Sequence, residues 1–444
     1  MKANVSSARL PPELLSQIFI LCLSNYPSPI KTDAPLNIST VCKEWRQISI
    51  STSQLWSHIL LLINDKRQGR YAPLIETRIS RSRECGFSFV FRWELCMARH
   101  SPGLRAMTDV LIKNCGTWRN VVITGPCDHQ YFIRNLVSVI PAQTPDIQKI
   151  HIDADSSING LFNAPLPHLK HLSMRVTVSI SPGSSHLRLE NLQSLSLQGA
   201  DLTELLECLS RSPRLVTAKL QIIFHEGYSA SQNKQIDLLR LKTLDIDVRV
   251  HGDDDMEAER NFSEILERLQ VPALKSLFIN LDYLRYGAKR SLSWEPLITL
   301  VSHSNATLQS LEIRGANLIS TPQFLAAFPN IGHLGITADL LEYTWNHGLI
   351  YQSTSSLRRQ SLLCPNLESL RVFCGDDADR ALTAIRSVMG ADADVEGSRP
   401  LCLIKPFQIH ASVELPSHST IQIVDEVDWI TRHKHDLYAD LVWD

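Results

Sequence analysis

The sequence lacks the cysteine spacing of a metal site or a disulfide scaffold. Its ten cysteines, at positions 22, 42, 85, 96, 115, 127, 208, 364, 374 and 402, form no C-x-x-C pair and follow no regular interval. Zinc sites and small secreted scaffolds both depend on such patterns. The cysteines instead favour buried thiols in a reducing compartment, which predicts a cytoplasmic and/or nuclear protein.

Long apolar runs and an excess of one charge are also missing. No stretch reaches about 18 consecutive apolar residues, so we expect no membrane span. Glu13 and Gln17 interrupt the short apolar run near the start, and no clear cleavage site follows, so it is interpreted as a helix rather than a signal peptide. Lys+Arg 44 against Asp+Glu 46 leaves a net charge of -2, which indicates no nucleic-acid partner.

Motifs for catalysis and metal binding are absent as well. The sequence has no G-x-S-x-G, H-E-x-x-H, G-x-x-x-x-G-K-[ST] or G-x-G-x-x-G, so no residue is assigned a catalytic or cofactor-binding role. The acidic run at 251–259, HGDDDMEAE, lacks calcium-loop spacing and is interpreted as a solvated loop before a helix. The two histidines of RHKHD at 432–436 would diverge on a helix, so no metal site is expected there. The basic cluster RISRSR at 78–83 is interpreted as a solvated helix end, although it could contact an acidic partner.

Two helical patterns occupy the first sixty residues. The first begins at the proline pair Pro11 and Pro12, which suits a first helical turn, and a proline-rich loop follows it. Its apolar residues recur every three or four positions along one broad face: Leu14, Leu15, Ile18, Phe19, Cys22 and Leu23. The second pattern places Cys42 and Trp45 on one apolar stripe, together with Ile38, Val41 and Ile48. Cys42 is therefore expected to be a buried small hydrophobe rather than a reactive thiol.

Taken in order, these residues resemble an F-box, and more narrowly the F-box-like proteins of basidiomycete fungi. The resemblance covers roughly the first 125 residues, including an Arg-Ser turn and strand at Thr77–Trp93. It is carried by Leu10-Pro11-Pro12-Glu13-Leu14-Leu15, Ile18-Phe19, Val41-Cys42-Lys43-Glu44-Trp45-Arg46 and Leu55-Trp56. The resemblance implies docking on the Skp-type adaptor of a cullin-RING ubiquitin ligase. The adaptor-facing candidates are Leu10, Pro11, Leu14, Ile18, Val41, Cys42 and Trp45, although some, Phe19 and Cys42 especially, could instead pack the helical unit itself.

A short apolar pattern returns ten times from about residue 118, with 22 to 36 residues between successive starts. Leucine-rich repeats use such L-x-x-L-x-L units at about 20–29 residues, and neighbouring units stack into a curved solenoid. The longer intervals require insertions, for which 256–269, 293–304 and 338–361 are candidates. The ten motifs are Trp118/Val121/Ile123, Ile147/Ile150/Ile152, Leu169/Leu172/Met174, Leu192/Leu195/Leu197, Leu215/Ala218/Leu220, Leu241/Leu244/Ile246, Leu274/Leu277/Ile279, Leu308/Leu311/Ile313, Ile331/Leu334/Ile336 and Leu367/Leu370/Val372.

Strand alternation separates each motif into core positions and positions on a concave face. That face mixes both signs of charge with two aromatics, which suits a folded protein partner better than a polyanion. Aromatic side chains are enriched among binding hot spots, which favours the two phenylalanines. The candidates for binding a target protein are His171, Arg175, Asp245, Phe278, Glu312, Arg314, Arg371 and Phe373.

The sequence therefore predicts an α/β fold in which a small helical F-box precedes a leucine-rich-repeat solenoid. The predicted segments are the F-box at 1–62, a connecting segment of helix and strand at 63–115, the repeats at 116–415, and a tail at 416–444 with a capping helix. The favoured function is a non-catalytic substrate receptor that binds the adaptor and an unknown target, with no cofactor, nucleic acid or membrane. A repeat scaffold without a ligase role, whose F-box helices only cap the repeats, and an unrecognised enzyme are the alternatives.

Overall fold

The computed structural model describes residues 10–24, 27, 30–63, 68–93, 102–124, 130–153, 158–159, 165–175, 178–179, 188–200, 202–225, 235–251, 255–281, 295–302, 308–314, 328, 330–337, 366–373, 401–405 and 421–425. The chain divides into two compact units, Met1–Leu192 and Gln193–Asp444, here called the first and second units. The segment boundaries expected from the sequence stay predictions.

Helices of the first unit begin and end where local chemistry permits. The first one starts on Pro11 and Pro12, whose missing N–H groups cost little in an opening turn, and Glu13 follows in that turn. The helices are α1 (Pro12–Leu21), α2 (Ile38–Val41), α3 (Lys43–Ser51), α4 (Gln68–Ser82), α5 (Pro102–Lys113) and α6 (Gln130–Gln143). Short 3₁₀ turns occupy Ser53–Trp56, Arg83–Cys85 and Cys115–Thr117.

Strands of the first unit are parallel. The strands are β1 (His58–Ile63), β2 (Phe87–Trp93), β3 (Trp118–Thr124), β4 (Lys149–Asp153), β5 (Ile158–Asn159), β6 (His171–Arg175) and β7 (Val178–Ser179). The order β1-β2-β3-β4-β6 forms one sheet, and β5 pairs with β7. β1 and β2 extend the sheet on the N-terminal side of β3, the strand of the first repeat motif, with Ile59 opposite Phe89 and Phe89 opposite Val121.

The second unit repeats the same strand arrangement. Its strands are β8 (Ser194–Ala200), β9 (Thr217–His225), β10 (Ile236–Asp237), β11 (Thr243–His251), β12 (Leu269–Gln270), β13 (Ser276–Asn280), β14 (Ser310–Arg314), β15 (His333–Thr337), β16 (Ser369–Phe373), β17 (Leu401–Lys405) and β18 (Ile421–Asp425). They form a parallel sheet in the order β8-β9-β11-β13-β14-β15-β16-β17-β18, and β10 pairs with β12. The helices are α7 (Leu202–Ser210), α8 (Asp255–Arg268) and α9 (Glu295–Ser302).

Each of the ten apolar motifs coincides with a strand, and every motif residue is buried. The middle residues align across the strands: Val121, Ile150 and Leu172 in the first unit, and Leu195, Ala218, Leu244, Leu277, Leu311, Leu334 and Leu370 in the second. A turn precedes the strands, as where the N–H of Leu274 donates to the carbonyl of Val271 at 3.1 Å. One motif cannot bury its own apolar residues, so this alignment creates the continuous core.

Several expectations about inserted segments can be compared with the structure. Inserted helices or loops were expected at 256–269 and 293–304, and α8 and α9 occupy most of these two segments. The segment 338–361, the tail helix and RHKHD lie outside the described residues, although β18 occupies part of the tail. Side chains of the acidic run at 251–259 are not described either. No helix in the described part of the chain is long and apolar enough to cross a membrane.

Two local expectations concern residues 77–93. A turn and then a strand were expected within Thr77–Trp93, and there α4 runs to Ser82, with Ile75 and Ile79 on its buried face, before the 3₁₀ turn Arg83–Cys85 leads into β2. The cluster at 78–83 was expected to be a solvated helix end, and α4 does end within it at Ser82, but the expected solvation was wrong for Arg78, which is only 1% exposed.

Candidate functional site

A small apolar core organises residues 10–57, here called the N-terminal helical unit. Leu15 and Phe19 of α1 are buried in it, and the rings of Phe19 and Trp45 pack with centroids 4.9 Å apart. Trp56 is 2% exposed and its indole N–H donates to the Ser49 carbonyl at 2.8 Å. These contacts fix α1 against α3, so the outward side of α1 is held in a defined position.

Cys42 breaks the second helical pattern into two helices. It is extended (φ -154, ψ 174), and its Sγ accepts a hydrogen bond from the Trp45 N–H at 3.4 Å as the N-cap of α3. Arg46 Nε donates to the Ser39 carbonyl at 2.9 Å and ties α3 back to α2. The expectation of a continuous helix with a buried Cys42 was therefore wrong, because the thiol is exposed and serves as a cap.

One side of α1 presents apolar side chains to solvent. Leu14 and Leu15 are neighbours in sequence, yet Leu14 is 52% exposed and Leu15 is 8% exposed. Residues spaced by four and three positions lie on one face of a helix. The exposed face, here called the α1 stripe, consists of Leu10, Leu14, Ile18 and Leu21. Contiguous exposed apolar residues of this kind mark interaction surfaces.

The remaining adaptor-facing candidates are distributed differently. Pro11 is exposed as the N-cap of α1, and Val41, 60% exposed, lies with Cys42 at the junction of α2 and α3. Trp45 is half-buried against Phe19 and thus belongs partly to the core. The structure therefore brings Leu10, Leu14 and Ile18 together on one stripe and leaves Trp45 to support it from within.

Two arginines brace the N-terminal helical unit from α4. Arg78 donates through Nη1 to the His58 carbonyl at 2.6 Å, and the guanidinium carbons of Arg78 and Arg81 lie 5.8 and 4.3 Å from the Trp56 ring centroid. Burial lowers the pKa of Arg78 to about 10, against the opposing charge of Asp33. Burial and the Arg78 charge also lower the pKa of His58. Arg78 is consequently a supporting residue for the helical unit.

In the first unit, the strand face opposite the leucines is polar and partly open. His171 is half-buried and Arg175 is exposed, as expected, and Arg175 forms an ion pair with Asp153 on the neighbouring strand. Burial lowers the pKa of Lys149 on β4 to about 8 and also lowers the pKa of His151. This part of the face carries its own ion pair and contains a partly desolvated lysine.

In the second unit, the corresponding face is much less open than expected. Phe278, Glu312, Arg371 and Phe373 were expected to be exposed and are 4 to 8% exposed. The physical reason is that long side chains lie across neighbouring strands instead of projecting into solvent. Arg314 of β14, for example, lies 3.9 Å from the centroid of the Phe373 ring on β16, and Phe278 is flanked by Asp245 and Glu312 in the register. Alternation thus identifies the face but not its burial.

Asp245 and Asp247 on β11 are held by neighbouring donors. Lys219 Nζ lies 3.2 Å from Asp245 Oδ2. Burial raises the pKa of Asp245, although the positive charge of Lys219 opposes this shift. Asp247 accepts hydrogen bonds from Gln221 at 2.6 Å and Asn280 at 2.9 Å. Both carboxylates are therefore occupied within the sheet.

Glu312 is the centre of a buried polar row on β14, β15 and β16. His333 Nε2 lies 2.9 Å from Glu312 Oε1, and Arg371 Nη1 donates to both carboxylate oxygens at 3.1 and 3.3 Å. Burial favours the neutral acid, but the His333 hydrogen bond and the charges of Arg371 and Arg314 outweigh it and lower the pKa of Glu312 to about 2. Glu312 is therefore an ionised carboxylate whose oxygens already bond to His333 and Arg371 within the sheet.

This row also has the residue types of an acyl-transfer triad. Ser369 Oγ lies 2.7 Å from His333 Nδ1, opposite the Glu312 contact. A proton-accepting histidine in such a triad depends on a carboxylate whose charge stabilises the imidazolium. Arg371 already offsets that charge, so the geometry is suited to holding the sheet face together.

Sequence reasoning missed two features of these surfaces. Leu21, 84% exposed, extends the α1 stripe, and its helical spacing from Leu14 could have identified it. Gly335 lies between Glu312 and Arg371 in the register, and a glycine inside a strand signals close approach of another group. Within the described residues, no group of three or more His, Cys, Asp or Glu could hold a metal ion.

Comparison with known families agrees with the N-terminal geometry. Residues 7–62 match the family model described as F-box-like, and this span includes the whole α1 stripe together with Val41 and Cys42. F-box domains generally bind a Skp-type adaptor, so the match indicates an adaptor role in a Skp–cullin–F-box type ligase. A search of curated proteins finds no match to the chain.

Proposed function

We propose that this chain is the substrate-receptor subunit of a Skp–cullin–F-box type ubiquitin ligase. The N-terminal helical unit would bind the Skp-type adaptor, and the repeats, interpreted as leucine-rich repeats, would hold a target protein. The chain would contribute no catalysis of its own, and ubiquitin transfer would belong to the assembled complex. Holding the target beside a loaded enzyme replaces a bimolecular encounter with a local one.

The α1 stripe is the observation that carries this proposal. Leu14 and Ile18 are 52% and 43% exposed although the adjacent Leu15 and Phe19 are buried, and all four lie within the F-box-like span. Burying one leucine side chain contributes about 1.5–3 kcal/mol. Covering this stripe with an apolar partner surface would therefore supply substantial binding free energy.

Binding of the purified full chain to a purified Skp-type adaptor tests the proposal. We expect a complex at micromolar concentration or below, and we expect Leu14→Asp to weaken it by at least about tenfold because a carboxylate would be buried without a partner. Leu239→Asp is the matched control, since Leu239 is a 63% exposed leucine of the second unit. The control variant should bind the adaptor like the unmodified chain.

Two results would contradict the proposal. The first is that the unmodified chain does not bind the adaptor at micromolar concentration, which would favour a repeat scaffold without a ligase role. The second is that both aspartate variants weaken binding equally, which would assign the effect to general destabilisation rather than to the α1 stripe. Circular dichroism of each variant establishes that the fold is retained.

A further inference from the structure

Arg314 at the end of β14 has an unusual position on the strand face of the second unit. Its guanidinium carbon lies 3.9 Å from the centroid of the Phe373 ring. Phe373 belongs to β16, so the Arg314 side chain must cross β15 to reach it. A cation over an aromatic ring is attracted by the negative face of the ring, and the contact restricts the side chain to one place.

The N–H groups of Arg314 are not used by this contact. Arg371 approaches the same ring but donates to Glu312 as well, whereas the guanidinium of Arg314 donates no hydrogen bond to, and forms no ion pair with, any residue that the structure describes. Arg314 is also only half-buried. A planar guanidinium held in this way offers paired donors in a fixed direction, which is the geometry that binds a carboxylate through two hydrogen bonds.

Among the residues that the structure describes, the charges around Arg314 leave one positive charge in excess. Three basic side chains, Lys219, Arg314 and Arg371, lie among two described carboxylates, Asp245 and Glu312. Lys219 pairs with Asp245 at 3.2 Å, and Arg371 pairs with Glu312 at 3.1 Å. His333 bonds to the same glutamate, and the nearby Arg249 pairs with Asp247 at 3.3 Å. Arg314 is the cation of this described cluster that forms no ion-pair contact, although its charge also acts on Glu312 and Asp245.

We propose that Arg314 is an anchor that binds a carboxylate side chain of the target protein, so that the segment docking on this face is acidic. The proposal rests on the proposed function, in which the strand face holds the target. A protein carboxylate fits better than nucleic acid, because Asp245, Asp247 and Glu312 around the anchor would repel an extended polyphosphate. A single carboxylate placed over Phe373 meets only the excess cation.

Fluorescence polarisation with the full chain and a labelled six-residue peptide that carries a single glutamate among serines tests this inference. We expect saturable binding, and we expect Arg314→Gln to weaken it by about tenfold, as for loss of a charge-assisted paired contact. Arg314→Lys, which keeps the charge but loses the planar fork, should weaken it nearly as much. Arg249→Gln is the matched control, because it removes one positive charge from the same face, and it should change binding by less than about twofold.

Each contrary outcome is specific. Equal loss in Arg314→Gln and Arg249→Gln, or full binding by Arg314→Lys, would show attraction by charge alone and overturn the anchor. Tighter binding of a labelled single-stranded oligonucleotide than of the single-glutamate peptide would also overturn it, in favour of a nucleic-acid surface. Adaptor binding of the same variants separates the two proposals: intact adaptor binding without peptide binding refutes only the anchor, and the reverse result refutes only the ligase role.

Discussion

Gly335 provides the sharpest test of the buried polar row. In the structure, a Cβ added at this position would lie 2.6 Å from Glu312 Cγ, 3.0 Å from its Cβ and 3.1 Å from its Cδ. Glu312 thus reaches Arg371 by passing directly over the glycine of the intervening strand. Replacement by alanine must displace the glutamate, because its Cγ is not a flexible end that can move aside alone.

The expected cost of Gly335→Ala follows from what Glu312 would lose. Displacement would break the contacts to His333 at 2.9 Å and Arg371 at 3.1 Å, and would leave a buried arginine without its carboxylate. Breaking a buried ion pair by removing one partner costs about 3–5 kcal/mol. We therefore expect Gly335→Ala to reduce the free energy of unfolding by about that amount.

Urea unfolding followed by circular dichroism measures this cost, with amide hydrogen exchange of 333–337 as a local readout. Gly332→Ala is the control, since a Cβ there meets only two carbonyl oxygens at 3.8 Å and should cost less than about 1 kcal/mol. The decisive comparison is a double-mutant cycle with Glu312→Ala. If Gly335→Ala costs as much without the glutamate side chain as with it, Glu312 does not pass over Gly335 and the reasoning is refuted.

Three further changes have defined outcomes. Lys149→Met should stabilise the protein at pH 7 by about 1 kcal/mol, discounted for partial exposure. Between pH about 8 and 10.5 the unfolded chain binds more protons than the folded chain, so the stability gained by Lys149→Met, measured by thermal unfolding, should fade across that range. A gain that stays constant with pH would contradict this explanation. The stability that the lowered pKa of Glu312 provides, roughly 3 kcal/mol, should disappear as the pH falls from 4.5 to about 2, and Glu312→Gln should abolish this dependence in urea titrations. Arg78→Ala should cost about 3–5 kcal/mol in urea unfolding because it leaves a cavity, whereas a similar cost for the half-buried Arg81→Ala would refute that explanation.

The strand positions could be predicted because burial of a repeated residue type is a short-range signal. Leu244, Leu277 and Leu311 recur in the same frame, and each is fully buried in register with the next. The sequence did not reveal β17, although Leu403 continues the same register beyond Leu370. The sequence before β17 lacks the combination of a turn and a leading apolar residue that precedes the earlier strands, so the repeated pattern does not identify this strand.

Burial of the opposite face could not be predicted from alternation. Period-two spacing states that Phe278 and Phe373 point away from the leucines, but it contains no information on what covers them. Coverage depends on side chains from neighbouring strands, such as Arg314 lying over Phe373 and Glu312 lying over Gly335. These contacts join residues 23 to 59 positions apart in sequence, and a local window cannot detect them.

The N-terminal helices show a related limit of periodicity. Ile38 and Ile48 are both buried, as one continuous stripe predicts, although Cys42 interrupts the helix between them. The apolar spacing survives the break because α2 and α3 pack on the same core. Periodicity therefore identifies which residues approach that core, but it cannot establish that one helix carries them.

The two proposed binding surfaces follow from the same physical comparison. A helix needs only part of an apolar face to join its own core, and α1 has more than it buries: Phe19 is covered while Leu21 is not. Likewise, a polar sheet face needs equal numbers of cations and carboxylates to neutralise itself, and the cluster around Glu312 has Arg314 in addition. Exposed apolar area and uncompensated charge both have a free-energy cost in the isolated chain that a complementary partner removes. We therefore propose that excess over internal need, rather than the residue type itself, separates the proposed binding residues from the structural ones in this protein.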